Sequence, residues 1–204
     1  MSPTSRSVNA TTRGEQTRTA ILDEALKVAS RLGLEGLTIG SLADASGMSK
    51  SGLFAHFGSR EDLQLAVLDT GRNRFVTQVL LPALQQPRGL PRLRAIVANW
   101  FEWSREHQSG CVLLSAVSEY DGRDGALHDG VVRQQAGWRA ELQKAIAQAV
   151  ELGHLRSDTD VAQLAFEIYA LMLGLHHDAG LFGFDEAGRL ARAAFERLWR
   201  SWQT

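Results

Sequence analysis

A single cysteine among 204 residues excludes a disulfide framework and fits a reducing, cytoplasmic setting. Charge of neither sign is in excess: 22 Lys and Arg stand against 23 Asp and Glu, a net of −1. No polyelectrolyte partner is implied for the chain as a whole. No apolar run approaches the roughly 20 residues needed to cross a bilayer. The Ser/Thr-rich start, MSPTSRSVNATTRGEQ, has no apolar stretch of the kind a signal peptide carries. Neither a membrane partner nor a leader is expected. Catalytic signatures are missing too, with no phosphate-cradling glycine loop and no nucleophile elbow. Histidines do not recur at the i,i+4 spacing that serves a metal, and the adjacent His176 and His177 diverge by about 100° on a helix. No metal and no cofactor are expected.

What is present is helical periodicity. Apolar residues make up 44% of the chain, ample material for a core. Ile21, Leu22, Ala25, Leu26, Ala29 and Leu32 form one face of a helix from Thr17 to Leu32 that ends at Gly33. A later helix runs from Arg60 to about Leu81, where Pro82 interrupts it, and Gln85 to Pro91 reads as a connection. Others are expected from Pro91 to about Gln108, from Val112 to Tyr120, and from Ala126 to Leu152. Asp158 caps one more, to about Ala179, and Asp185 caps the last, reaching Trp202. No segment alternates as a strand does. The fold class is all-α, a three-helix head with a body of about six helices. The expected divisions are an arm over 1–16, a head over 17–63 and a body over 64–204.

The most informative segment is TIGSLADASGMSKSGLFAHFGSREDL, from Thr38 to Leu63. Thr38 caps a first helix whose Ile39, Leu42 and Ala43 share an apolar stripe. Gly47 marks a sharp turn, and Ser49 caps a second helix that opens with Lys50, Ser51 and Gly52. Those residues leave free N–H groups, hydroxyls and a cation at a helix start, the means by which a helix meets phosphate and base edges. Phe54 and Phe57, three apart, are expected to pack inward as a pair. Gly58 stops the helix, and Ser59 with Asp62 caps the next one, with Arg60 in its first turn. The bland alternative is an ordinary helical hairpin inside a core. Residues 1–60 hold seven basic against five acidic side chains, a modest footprint for a nucleic-acid binder. Arg6 and Arg13 in the arm are candidates to trail along DNA, against the simpler reading of a solvated tail.

This stretch resembles the DNA-binding domain of the TetR family of bacterial transcriptional regulators. The likeness is carried by RTAILDEALKVASRLGLEGLT and then IGSLADASGMSKSGLFAHFGSREDL, and is specific from about Thr17 to Leu68. It implies a helix-turn-helix head that binds a palindromic double-stranded operator, a dimer, and a C-terminal body that takes a small-molecule effector. DNA contacts are then expected from Thr38, Ser49, Lys50, Ser51, Gly52, Phe54, His56 and Arg60. Two positions depart from the family pattern. Phe54 stands where Tyr is usual, which removes a hydroxyl, and Arg60 stands where Lys is usual, which keeps the charge.

In the body, the last two helices are apolar over more than one stripe. Val161, Leu164, Ala165, Ile168, Ala170, Leu171, Leu173, Gly174 and Leu175 lie on one. Ala191, Ala194, Phe195, Leu198, Trp199 and Trp202 lie on the other. Such helices are either centrally buried or shared with a partner. The resemblance assigns them to an intersubunit four-helix bundle, hence a homodimer. Trp100, Trp103, Leu114, Glu119, Tyr120, Trp138, Phe166, Tyr169 and His176 are the candidate effector contacts, apolar groups with a few polar tips; solid core is the alternative for each. Cys111 reads as a quiet buried thiol, and Asp121 and Asp124 as turn formers. Two functions from different classes follow. One is a ligand-responsive transcriptional regulator. The other is an all-α small-molecule-binding protein or enzyme whose head does not bind DNA.

Overall fold

The structure, a computed structural model, describes residues 13–108 and 110–203, and all of the described residues fall into helices and their connections. The arm expected over residues 1–16, with Arg6, lies largely outside the described residues. Helix α1 (Arg13–Gly36) starts one turn ahead of Thr17, with Glu15 in its first turn, where a carboxylate opposes the helix dipole. Gly33 interrupts it with φ 74° and ψ 171°, and the chain begins a new turn. Leu34 and Leu37 beyond the break are fully buried. Leu32, expected on the buried face, is 59% exposed. The stripe through Ala25 and Ala29 continues to position 33 rather than 32, and Leu34 and Leu37 take over the core.

Helices α2 (Ile39–Ser46) and α3 (Lys50–Phe57) complete the head. Helix α4 (Arg60–Phe75) leaves it and packs against α1, α7 and α8, so it ties head to body. It does not stop at Pro82. A π-helical stretch, Val76–Leu80, carries it into a short α5 (Leu81–Leu84). Pro82 has no N–H to give and its ring crowds the preceding turn, and the widening just ahead of it relieves both. Asn99 answers the Val79 carbonyl there, at 2.9 Å.

The body adds α6 (Leu90–Glu106), α7 (Val112–Tyr120), α8 (Ala126–Glu151), α9 (Val161–Phe182) and α10 (Phe184–Trp202). Asp160, not Asp158, caps α9 by accepting from Ala162 N and Gln163 N at 2.9 and 3.0 Å. Asp158 instead pairs with Arg156 at 2.7 Å. Asp185 sits in the first turn of α10, behind Gly183. That glycine alone links α9 to α10, so the two fold back as a closely packed hairpin. One continuous core runs from Ile21 in the head to Trp199 in the body. Among the described residues, no helix is long and apolar enough to cross a membrane.

Candidate nucleic-acid interface and ligand cavity

The head is built by short-range hydrogen bonds. Thr38 and Ser41 form a reciprocal capping box at 2.9 Å each way, so the Thr38 hydroxyl is committed to α2. Gly47 turns the chain at φ 68° and ψ 11°. Ser49 caps α3 by accepting from Gly52 N at 3.1 Å. Leu53 and Phe57, four apart, face the core. Phe54 does not join them: it is 56% exposed, since a step of three rather than four from Phe57 puts it at the edge of the buried stripe. Ser49, Lys50, Ser51, Phe54 and Ala55 therefore form one open surface on α3, with His56 half-buried beside it. Gly52, also half-buried, lets the backbone of that first turn stay bare. Arg60 is less free. Its guanidinium donates to the Glu35 and Leu37 carbonyls and pairs with the Glu35 carboxylate at 3.1 Å.

Within the body lies a cavity of about 370 Å³, in the range that holds small organic molecules. Phe75 of α4 lines it, its ring nearly perpendicular to those of Trp103 at 5.3 Å and Trp138 at 4.7 Å. Trp100, Leu114 and Tyr169 also line it, as do Val76 and Leu80 from the π-helical stretch. Burial pushes the Cys111 thiol and the Tyr169 phenol above their ordinary pKa ranges, so both stay protonated in this wall. Of the sequence candidates, Trp100, Trp103, Leu114, Trp138 and Tyr169 meet here; Glu119, Tyr120, Phe166 and His176 do not line it. Phe166 is 57% exposed on α9. His176 is half-buried, its pKa lowered first by desolvation and then by His107. Sequence reasoning missed Arg72, Phe75, Arg133, Gln134, Gln135 and Glu141. Nothing in the periodicity of α4 or α8 separates cavity-facing residues from core-facing ones.

Glu119 and Tyr120 perform a different task, at the junction of head and body. The turn after Gly33 exposes the Leu34 and Glu35 amides, and the Glu119 carboxylate accepts from both, at 3.2 and 2.7 Å. The Tyr120 hydroxyl donates to Glu35 Oε1 at 2.7 Å, and Arg123 pairs with the same carboxylate at 2.9 Å. From α4, Gln64 donates to the Leu34 and Leu37 carbonyls. These bonds hold Glu35 below its ordinary pKa, the Tyr120 hydrogen bond being the largest cause. The turn after Gly33 is thereby clasped by α7 on one side and α4 on the other.

Comparison with known proteins places this geometry. Residues 21–67 match the family model described as "Bacterial regulatory proteins, tetR family", and residues 89–195 match "Tetracyclin repressor-like, C-terminal domain". The chain belongs to the TetR family. It is a TetR-family transcriptional regulator, with a helix-turn-helix head and the ligand-binding type of C-terminal domain. It is 26% identical to the HTH-type transcriptional repressor ComR of Escherichia coli (strain K12), over 78% of this chain and 77% of that one. In fold it is similar to a TetR-family transcriptional regulator from Cytophaga hutchinsonii, with TM-score 0.80, 20% identity, and 96% and 99% of the two chains covered. It is also similar to AibR, solved in complex with isovaleryl coenzyme A and operator DNA, with TM-score 0.69, 23% identity, and 86% and 96% covered. In TetR-family terms, α1–α3 form the DNA-binding head, and the cavity lies in the effector-type domain.

Proposed function

We propose that the protein is a repressor that binds a palindromic operator as a dimer and is released when a small molecule enters the 370 Å³ cavity. The observation that carries this is Phe75, which sits in the cavity at one end of α4, while Arg60 and Gln64 near the other end grip the turn behind the head. The two ends are about 22 Å apart along the helix axis. A ligand that displaces Phe75 therefore tilts or shifts the element on which the head rests. Such coupling typically changes operator affinity about 5- to 150-fold, and the operator must change ligand affinity equally. The repressor assignment draws on the likeness to ComR, and AibR supports a division into separate ligand and operator sites. The setting is the cytoplasm, where the DNA is.

The α3 surface of Ser49, Lys50, Ser51 and Phe54 is assigned to the major groove, with Thr38, Gly52 and His56 supporting its approach. A mobility-shift assay on the DNA upstream of the chain's own coding sequence tests the reading, since sequence-selective retention that weakens with salt is expected. Lys50→Ala is expected to weaken binding to all sequences alike and to reduce the salt slope by about 0.9. Arg60→Ala, whose guanidinium is engaged within the protein, is expected to lower affinity while leaving that slope unchanged. Equal slopes for Lys50→Ala and wild type would remove Lys50 from the phosphate contacts.

A further inference from the structure

The cavity wall carries polar groups that the fold leaves unanswered. Gln134 and Trp138 lie one turn apart on one face of α8, and both line the cavity. Gln134 Nε2, Gln134 Oε1 and Trp138 Nε1 are shut from solvent with no hydrogen-bond partner in the protein. Two polar neighbours are satisfied: the Tyr169 hydroxyl donates to Gln135 Oε1 at 2.8 Å, and Gln135 Nε2 donates to the Leu113 carbonyl at 3.5 Å. Within this wall the buried deficit is confined to two residues, and it consists of two donor nitrogens, with three N–H groups between them, and one acceptor oxygen. Buried polar groups without partners are costly, and on side chains that line an open space they are answered when a molecule enters and the side chains turn toward it.

We propose that the effector is an uncharged molecule with an apolar, ring-containing body and an amide-type edge, a carbonyl beside an N–H, that pairs with Gln134 and Trp138. This rests on the reading of the protein as effector-responsive. An amide edge answers both kinds of group: its carbonyl accepts from Trp138 Nε1 or Gln134 Nε2, and its N–H donates to Gln134 Oε1. A carboxylate accepts only and leaves Gln134 Oε1 bare. An ammonium donates only and leaves Gln134 Nε2 and Trp138 Nε1 bare; the charged side chains in the same wall are of both signs, Arg72 and Arg133 with Glu141. A plain hydrocarbon answers none of the three. The apolar body suits the remaining wall, where Phe75, Trp100, Trp103 and Trp138 offer ring faces and edges.

The test uses the intact protein and four probes of one shape: biphenyl, biphenyl-4-carboxamide, its N,N-dimethyl amide, and biphenyl-4-carboxylate. Binding is read by calorimetry and by fluorescence of the cavity tryptophans. The carboxamide is expected to bind at least about tenfold tighter than the other three. Gln134→Leu is expected to erase that preference while biphenyl affinity stays within about twofold, and Trp138→Phe to reduce it in part. Unfolding midpoints of both variants establish that they fold. Equal affinities across the series, a carboxylate preference, or binding by none of the probes overturns the proposal. Operator retention in the mobility shift, measured without any probe, is independent of these outcomes. Retention with no amide preference sinks the ligand class alone, whereas amide binding without retention sinks the regulator reading.

Discussion

At the scale of single residues, Gly33 is held in place by its own backbone angles and by a neighbouring carboxylate. Its φ of 74° with ψ of 171° belongs to a region that side chains disfavour, and a Cβ there would lie 2.5 Å from Glu119 Oε1. Gly33→Ala is therefore expected to destabilise the fold by about 1–3 kcal/mol, measured by chemical denaturation. Gly137→Ala is the contrast: a Cβ meets nothing within 4 Å in the middle of α8, and a gain of about 0.5–1 kcal/mol is expected. Glu35 gives the junction a pH dependence of known sign. Its pKa is depressed in the folded state, so its contribution is whole above the ordinary glutamate value of 4.5 and drains as pH falls through the lower folded value. Tyr120→Phe removes the largest cause of that depression. The gap in thermal midpoint between wild type and Tyr120→Phe is expected to narrow below pH 4.5. A gap that stays constant into acid would detach Tyr120 from Glu35.

Among the elements, α7 is the piece whose role was least legible in the sequence. The head could be read directly because its signals are local: Thr38, Gly47, Ser49, Gly58 and Ser59 each act within a few residues of themselves. The clasp on α1 joins Leu34 to Glu119, 85 positions apart, and no local pattern announces such a bond. Glu119 and Tyr120 were readable only as polar tips in need of partners, and a cavity was as good a destination as a neighbouring turn. The aromatic wall was partly legible, since clustered Trp100 and Trp103 and the lone Trp138 demand a common interior. Phe75 was not, because its place depends on the course of α4 through the π-helical stretch. The structure gives α7 a use as a second arm between cavity and head, with Leu113 and Leu114 in the wall and Glu119 on the Gly33 turn. Glu119→Ala is expected to speed hydrogen exchange at the Leu34 and Glu35 amides at least about tenfold, the loss of about one hydrogen bond. Amides of Ala25 to Ala29 are expected to stay protected. Unchanged exchange at Leu34 and Glu35 would mean that α7 only fills space.

For the whole molecule, the question is what covers the outer face of α9 and α10. Part of their apolar content is spent inside the protomer: Ile168, Met172, Leu175, Phe195 and Trp199 are all buried. What remains outside is ordered. Phe166, Ala170, Leu173, Gly174 and Leu181 recur along one exposed side of α9, and Leu190 lies exposed on α10. Ala170 and Gly174 are small, and a Cβ on Gly174 would meet nothing within 4 Å, so another helix has room to approach closely. A second copy of the chain, seated by a twofold axis, would bury this side and set two heads about 34–36 Å apart, one turn of DNA. Leu173→Glu separates this from a solvated face. The side chain is already 38% exposed, so the protomer keeps its own packing, while a dimer through this side would have to bury two new carboxylates. Sedimentation equilibrium is expected to give a folded monomer. Operator affinity is then expected to fall by about 10²–10⁴-fold, because the second half-site is no longer tethered to the first. A dimer that survives this change with full operator affinity would move the interface elsewhere on the body.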